Sequence, residues 1–526
     1  MAARIARRAV HFCERSGCNF RAGKSHLRKF CSSPGSVETT PLTQSLPGLP
    51  QPVYATSTDH VHDTYVTTLS NGLKVTSQNK FGQFSTLGVF IDAGSRYEVS
   101  YKSGVSHFLE KLSFMSSSKY DSRDEIMQVL EKYGGIVDSQ SSRDTMVYAM
   151  SVERSGLEAG VSVLADVVLQ PKLTPEELEL AALTIQFELE SLRLRPDPEP
   201  LLTEMIHAAA YSRNTLGLPR FCPPENIGII DRTEVLNFMY NYFTPSRTVV
   251  AGVGMEHREL VEMVENHFLA DKPVWQREFD PNLSRGMDDS LSQYTGGIVT
   301  EERDMANIAP GTPIPELAHI VLAMESCGHK EEDFIPFAVL NMIMGGGGSF
   351  SAGGPGKGMY TRLYLNVLNR YHWMYSATAM HHSYEDSGIF CIHASANPTM
   401  LKDLVEIIVR EFVNMASRVE PMELQRAKTQ LKSMLMMNLE SRPIVFEDVG
   451  RQVLAMGYRK QPEEFCRLID KVTEEDIIRV ASRMLRTKPS VAAMGNLKKL
   501  PDYEDIQSAL ANKNGRLPRR FSLFRN

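Results

Sequence analysis

The feature that most constrains the fold is a faint internal repeat with an offset of about 240 residues. Residues 173–178 read Leu-Thr-Pro-Glu-Glu-Leu, and residues 419–424 read Val-Glu-Pro-Met-Glu-Leu. In both segments, a proline and acidic residues stand at the start of an apolar helical pattern, which is typical of a helix N-terminus. Residues 249–254 and 490–495 repeat a short, mostly apolar segment that ends in glycine. The preserved order predicts two copies of one folding unit.

Length and local pattern agree with two lobes. The chain has 526 residues, whereas a single hydrophobic core stops growing near ~250–300 residues. Asn71-Gly72 lies between β-forming residues and predicts a hairpin. Leu87, Val89 and Ile91 alternate as in a half-buried strand, and residues 318–324 predict its counterpart. Because strands precede long helices in each copy, we expect an α+β fold of two homologous lobes, each with β-sheet packed against helices.

These patterns also suggest boundaries along the chain. A polar stretch with prolines separates the two copies, and basic segments lie at both ends. The predicted segments are a leader 1–33, a linker 34–64, a first lobe 65–272, an interlobe linker 273–312, a second lobe 313–500 and a tail 501–526.

The first 30 residues carry eight lysines and arginines and a single acid, Glu14. Arg4, Arg8 and Arg15 recur at helical spacing, with Ile5 and Phe12 on another stripe. Arg-rich, acid-poor, amphipathic leaders are typical of mitochondrial transit peptides. The alternative is a basic arm that binds nucleic acid.

The remaining chain is acidic, since the whole carries a net charge of −6. An acidic body disfavours nucleic acid and favours cationic partners. The seven cysteines contain no Cys-x-x-Cys pair, which fits a reducing compartment and not a disulfide framework or a cysteine zinc site. No apolar run reaches the ~18 residues of a membrane-spanning helix.

One short motif carries metal chemistry. The apolar spacing over residues 103–114 predicts a helix, on which His107, Glu110 and Lys111 share a face. His-x-x-Glu-His at this spacing is the inverted zinc motif, in which two imidazoles hold the metal and the carboxylate activates water. Here Lys111 stands in the last position, and an ammonium has no lone pair for zinc.

His107-Phe108-Leu109-Glu110-Lys111 resembles the His-Phe-Leu-Glu-His motif of pitrilysin-type metallopeptidases. The resemblance implies two lobes, each with β-sheet paired with helices, that form a clam around an extended peptide. It also implies a distal glutamate ligand that matches Glu188. It also implies a degenerate metal site at His107, Glu110, Lys111 and Glu188, without metal and without catalytic residues, since catalytic zinc usually has three protein ligands. We expect Lys111 to pair with Glu110 or Glu188 in place of the metal.

Residues 345–358 form a second motif, with eight glycines in fourteen residues. Such a segment predicts an adaptable loop with accessible backbone groups. It is not a phosphate-binding Walker loop, because Ser351 and Gly358 stand where that motif requires Gly and Ser or Thr. A passive linker is the remaining alternative, although the loop lies inside the second lobe.

The segment through Tyr360 resembles the glycine-rich loop of the alpha-type, non-catalytic subunits of presequence-processing peptidases in this family. The resemblance implies that the chain recognises presequences of imported precursors in the mitochondrial matrix, while a catalytic beta subunit of a heterodimer supplies zinc. The implied substrate-binding residues are Gly345, Gly346, Gly347, Gly348, Ser349, Phe350, Gly353, Gly354, Gly356, Lys357, Gly358, Met359 and Tyr360.

Two alternatives stay open. The chain fits a non-catalytic core protein of respiratory complex III, from the same family, or an autonomous metallopeptidase, against which Lys111 argues. Residues 513–526 of the tail are basic with no acid, which suggests peripheral contact with anionic inner-membrane lipid. Met434, Met436 and Met437 are expected to pack inside the protein.

Overall fold

The computed structural model describes residues 63–305, 315–348 and 359–518. The predicted leader, nearly all of the linker 34–64 and the end of the tail lie outside these residues. Within the described part, no helix has the length and apolar character needed to cross a membrane.

The described strands form two six-stranded sheets, one in each lobe. The first has the order β1-β2-β6-β3-β5-β4, and the second has the order β7-β12-β8-β11-β10-β9. The strands are β1 Thr64–Thr68, β2 Lys74–Gln78, β3 Phe84–Ile91, β4 Ile136–Ser141, β5 Met146–Glu153, β6 Thr248–Val253, β7 Gly297–Glu302, β8 Ala318–Glu325, β9 Gly346–Gly348, β10 Met374–Ser383, β11 Gly388–Ala396 and β12 Ser490–Gly495.

Helices connect and cover these strands. The α-helices are α1 Val105–Leu112, α2 Arg123–Glu131, α3 Leu157–Leu169, α4 Pro175–Leu194, α5 Glu199–Ala210, α6 Arg232–Tyr242, α7 His257–Phe268, α8 Val274–Glu278, α9 Phe334–Met344, α10 Leu401–Met415, α11 Pro421–Asn438, α12 Arg442–Met456, α13 Pro462–Lys471, α14 Glu474–Met484 and α15 Tyr503–Ala511. A π-helix, Leu363–Leu368, follows the glycine-rich segment.

The two sheets repeat one topology, which agrees with the duplication predicted from sequence. In each, a parallel pair, β2 with β6 and β7 with β12, continues into antiparallel strands. The matched sequence landmarks become equivalent elements, since α4 corresponds to α11 and β6 to β12. The two lobes therefore share an α+β plan.

Strand β7 corrects one boundary. Residues 297–302 lie in the predicted interlobe linker 273–312, but they pair with β12 and begin the second sheet. Apart from Ile298 and Val299, this strand is polar or glycine and largely exposed. Its place is decided by pairing with β12, and periodicity alone does not reveal such a strand.

The prediction of a half-buried β3 was also wrong. After Phe84, every residue of β3 is buried, because both faces of the first sheet are covered. Helices of its own lobe cover one face. Helix α12 of the second lobe covers the other, where Phe446 meets Phe90 with ring centroids 4.9 Å apart.

The first lobe makes the corresponding contact with the second sheet. Helix α5 lies on the second sheet, and its Leu202 and Ile206 form one cluster with Val321 and Ala492. Each lobe thus lends one helix to the sheet of the other. Because both helices bury apolar side chains, the exchange joins the lobes through hydrophobic cores as well as through a linker.

A buried ion cluster adds a polar connection between the lobes. Arg96 of the first lobe lies 2.6 Å from Asp386 of the second and 3.0 Å from Asp144. Burial works against the charged guanidinium, but its hydrogen bond with Asp386 and the charge of Asp144 raise the pKa of Arg96. The guanidinium therefore stays charged, and its ion pair with Asp386 joins the two lobes.

Candidate functional site

Helix α1 places the motif residues where the sequence predicts them. Val105, Phe108, Leu109 and Leu112 are buried and anchor the helix in the first lobe. The backbone N–H groups of Gly104 and Ser106, at the start of the helix, donate to the carboxylate of Glu98 at 2.6 and 2.7 Å. A carboxylate at this end also suits the helix dipole.

Helix α4 supplies the distal carboxylate. Its N-terminus is fixed by a capping box, in which Thr174 and Glu177 satisfy each other's backbone N–H groups. Packing of α4 against α1 brings Glu188 Oε2 within 3.2 Å of His107 Nε2. These two residues, 81 positions apart in sequence, therefore meet at one site.

Lys111 lies between the two carboxylates. Its Nζ is 2.8 Å from Glu110 Oε1 and 2.7 Å from Glu188 Oε2, while Glu110 Oε2 accepts from the backbone N–H of Ser141 at 2.8 Å. Burial opposes the charge of Lys111, but hydrogen bonds with Glu110 and Glu188 raise its pKa. Hydrogen bonds from His107 and Lys111 lower the pKa of Glu188 to about 2. The ammonium and the Glu188 carboxylate are both charged at neutral pH.

The imidazole of His107 is held in one tautomer. The backbone N–H of Cys222 donates to Nδ1 at 3.1 Å, so Nδ1 carries no proton. In the neutral ring Nε2 then bears the proton and donates to Glu188. Sequence reasoning missed Cys222, since its contribution comes from a backbone group that no motif records.

Zinc does not fit this set of side chains. A zinc ion bound through Nε2 of His107 requires the proton on Nδ1, where it would face the N–H of Cys222. Lys111 contributes a positive charge at the position of the third ligand. Across residues 63–305, 315–348 and 359–518, no three His, Cys, Asp or Glu side chains are grouped as a metal site requires.

The start of the glycine-rich loop is ordered by the second sheet. Gly345 and Gly346 have φ values of +53° and +102°, and β9 pairs with residues 376–378 of β10. A Cβ on Gly346 would lie 2.0 Å from the carbonyl oxygen of Ala377. Glycine is therefore required here to let the backbone approach β10. The predicted contacts Ser349, Phe350, Gly353, Gly354, Gly356, Lys357 and Gly358 lie outside the described residues.

Met359 and Tyr360 follow the loop on the surface, 45% and 70% exposed. The guanidinium carbon of Arg426 lies 5.8 Å from the centre of the Tyr360 ring, and Arg426 Nη2 donates to the Tyr360 carbonyl at 3.4 Å. Arg426, on α11, was absent from the predicted set because its contact joins distant segments.

The methionines of α11 correct another expectation. Met434, Met436 and Met437 are exposed rather than packed, with Met437 61% exposed. The core contacts of α11 lie nearer its N-terminus, where Ala427 and Leu424 pack against the second core. A run of apolar residues on a helix does not reveal which side meets the core.

Comparison with known proteins places this two-lobed fold in a family. Residues 74–224 match the family model "Insulinase (Peptidase family M16)", and residues 230–431 match "Peptidase M16 inactive domain". Together the two models cover more than half of the chain. The first match lies within the first lobe, and the second runs from the last part of the first lobe into the second. The chain belongs to the insulinase family of peptidases.

Individual relatives carry more specific names than the family models. The chain is 60% identical to "Mitochondrial-processing peptidase subunit alpha" of Pongo abelii over 512 residues, 97% of each chain. It is 46% identical to the protein of that name in Caenorhabditis elegans, covering 85% of this chain and 88% of the relative. The Solanum tuberosum protein of the same name is 33% identical, covering 86% and 85%.

Proposed function

We propose that this chain is the non-catalytic, substrate-binding subunit of a heterodimeric mitochondrial processing peptidase that removes presequences from imported precursors. The observation that carries the proposal is Lys111 bridging Glu110 and Glu188 at the position of the third zinc ligand. The names of the relatives support the assignment to the alpha subunit. Zinc and the general base then belong to the beta subunit.

Substrate binding is assigned to the glycine-rich segment and the residues that follow it. Met359 and Tyr360 offer exposed apolar surface beside Arg426. A methionine adapts to varied apolar partners, and a loop rich in glycine can contact a peptide backbone whatever its side chains. Both properties suit a subunit that accepts many presequences.

The packing of the two lobes against each other supports the proposal that a second chain supplies the other half of the peptide-enclosing clam. Helices α5 and α12 bury apolar side chains between the lobes of this chain. Wide separation of its two lobes would expose these cores to water, which costs free energy. A space that encloses a long peptide therefore forms between two such chains.

The mitochondrial matrix is the proposed location. Support comes from the basic amphipathic leader 1–33 and from the names of the relatives. The basic residues 513–526 of the tail would permit peripheral contact with the inner membrane.

The decisive experiment is cleavage of a presequence peptide by this chain alone and by its mixture with a zinc-bearing beta subunit. We expect activity only in the mixture, and removal by a chelator. Zinc content is measured on each separated chain, with stoichiometric zinc expected in the beta subunit alone. Chelator-sensitive cleavage by this chain alone would contradict the proposal.

Deletion of residues 345–358 tests the loop separately. The variant should form the heterodimer, as measured by size-exclusion chromatography, but cleave with a raised KM or not at all. Unchanged cleavage would remove the loop from substrate binding. A wild-type heterodimer that forms but does not cleave would favour the structural core protein of respiratory complex III.

A further inference from the structure

Helix α4 is apolar on two opposite faces, and one of them is uncovered. Its inner face, with Ala181, Ile185 and Leu192, is buried in the first lobe. The outer stripe, at spacings of three, four and seven residues, consists of Leu180, Leu183, Phe187 and Leu194, which are 52%, 53%, 68% and 64% exposed. A helix that is apolar on both sides is normally buried. This stripe extends over about 21 Å and marks a binding surface.

Negative charge accompanies the outer stripe. Helix α4 contains five carboxylates and one basic residue, Arg193. Glu176, Glu179 and Glu190 are exposed beside the stripe, and none of the three has an ion-pair partner among the described residues. Glu190 accepts a long hydrogen bond, 3.5 Å, from Gln186. These carboxylates are available to a cationic ligand.

The equivalent helix of the second lobe lacks this character. Helix α11 contains one acid and three basic residues, and its exposed apolar residues are methionines. Because the two helices derive from one repeated unit, the fold alone does not require the acidic, apolar stripe. The stripe is a property of the first lobe, and Phe187 places it directly beside Glu188 of the degenerate metal site.

We infer that the outer stripe of α4 binds the apolar face of a cationic amphipathic helix. Leu180, Leu183, Phe187 and Leu194 would receive the apolar side chains, and Glu176, Glu179 and Glu190 would face the basic ones. The inference rests on the proposed function and deepens it, since it adds a substrate contact on the first lobe, away from the glycine-rich loop.

Charge selects this occupant over the alternatives. The leader of this chain has the required chemistry, with Arg4, Arg8 and Arg15 on one stripe and Ile5 and Phe12 on another. An anionic lipid surface would be repelled by the exposed carboxylates. A subunit contact uses the apolar stripe but does not by itself account for unpaired acids around it.

The test measures binding of a fluorescent peptide with the sequence of residues 1–30, its Cys13 and Cys18 replaced by serine. The protein is the heterodimer of this chain, without residues 1–33, and its zinc-bearing partner, treated with chelator so that the peptide is not cut. Leu183→Gln with Phe187→Gln should weaken binding at least about tenfold, since two large apolar contacts are lost. Leu283→Gln with Leu291→Gln, an equally exposed pair elsewhere, should change it less than about twofold.

A second variant pair tests the charges. Glu179→Gln with Glu190→Gln should weaken binding several-fold at low salt and reduce its salt dependence. A peptide of the same composition but with its apolar stripe scrambled should bind the wild-type heterodimer only weakly. Its affinity should be no higher than that of the original peptide for the variant with Leu183→Gln and Phe187→Gln. Unchanged affinity in both α4 variants would overturn the inference, as would loss of heterodimer formation without loss of peptide binding, which would make the stripe a subunit interface.

Cleavage by the zinc-loaded heterodimer separates this inference from the proposed function. If the wild-type heterodimer does not cleave presequence peptides, the proposed function fails. If it cleaves them and the α4 variants match it in affinity and KM, only the inference fails. A raised KM with nearly unchanged kcat in the α4 variants supports both.

Discussion

At the residue scale, Lys111 stands where the inverted zinc motif has its second histidine. Its charge interacts with the carboxylates of Glu110 and Glu188. Lys111 Nζ lies 2.7 Å from Glu188 Oε2, which also accepts from Nε2 of His107. The substitution leaves the carboxylates with a positive neighbour, so their charge remains compensated. Lys111, Glu110 and Glu188 thus form an ion-pair cluster between the packed helices α1 and α4.

Replacing Lys111 by glutamine should lower the free energy of unfolding by about 1–2 kcal/mol at pH 7, because Glu188 loses its ammonium partner in a partly buried site. The pKa of Glu188 is lowered to about 2 in the folded protein. Its stabilising contribution is therefore complete above the ordinary pKa of about 4.3 and is lost as the pH falls toward 2. Urea titrations at pH 7 and pH 3 should show a smaller difference between wild type and variant at pH 3.

Replacing Lys111 by histidine restores the motif but should not restore stoichiometric zinc. The Cys222 N–H still donates to Nδ1 of His107 and keeps the proton on Nε2. Zinc content after dialysis, measured by mass spectrometry for the histidine and glutamine variants, should be equally low. One tightly bound zinc per chain in the histidine variant alone would show that the tautomer is not a barrier.

At the element scale, two features depend on contacts between distant segments. The first glycines of the loop form β9 only because β10 lies beside them. Helix α12 packs its apolar face against the sheet of the other lobe, and its Phe446 is 2% exposed. Each element is thus stabilised by its neighbour rather than by local preference.

Gly346→Ala should destabilise the protein by about 2–3 kcal/mol, from the strain of a positive φ and the contact of its Cβ with the Ala377 carbonyl. Gly228 has no neighbour within 4 Å of a built Cβ and no positive φ. Gly228→Ala should therefore change stability by less than about 0.5 kcal/mol. Chemical denaturation of both variants provides the comparison, and equal stabilities would contradict the required close approach.

Phe446→Ala should cost about 3–5 kcal/mol, since it empties a site between α12 and the first sheet. Ile444, on the same helix, is 43% exposed, and its replacement by alanine should cost about 0.5 kcal/mol or less. Midpoints of urea unfolding measure both. A small effect at Phe446 would mean that α12 is dispensable for the first lobe.

At the scale of the whole molecule, the exchanged helices should make the two lobes unfold together. Helices α5 and α12 each belong by sequence to one lobe and by packing to the other. The buried Arg96–Asp386 pair crosses the same boundary. Loss of one lobe would expose apolar surface of the other, so partial unfolding is costly.

The two tryptophans report this cooperativity separately. Trp275 lies in the first core, and Trp373 packs against the second. Trp373→Phe and Trp275→Phe each leave one fluorescent lobe. We expect both variants to show the same unfolding midpoint by fluorescence as by circular dichroism. Two distinct midpoints in one variant would indicate independent lobes.

The sequence by itself determined the duplication, the α+β class and the motif residues on α1 and α4. The α+β class and the α1 motif follow from local rules, because helix caps, apolar periodicity and the spacing of His107, Glu110 and Lys111 are short-range signals. Glu188 on α4 was implied by the family resemblance, and the duplication by landmarks that recur in the same order. The Lys111 substitution was likewise visible as a chemical contradiction within five residues.

The tertiary structure alone decided the rest. It placed β7 in the second sheet, buried both faces of β3, exposed the methionines of α11 and set the tautomer of His107 through Cys222. Each outcome depends on which surface of a distant segment packs against the element or residue concerned. Such contacts are long-range, and the periodicity of one segment carries no information about its distant partner.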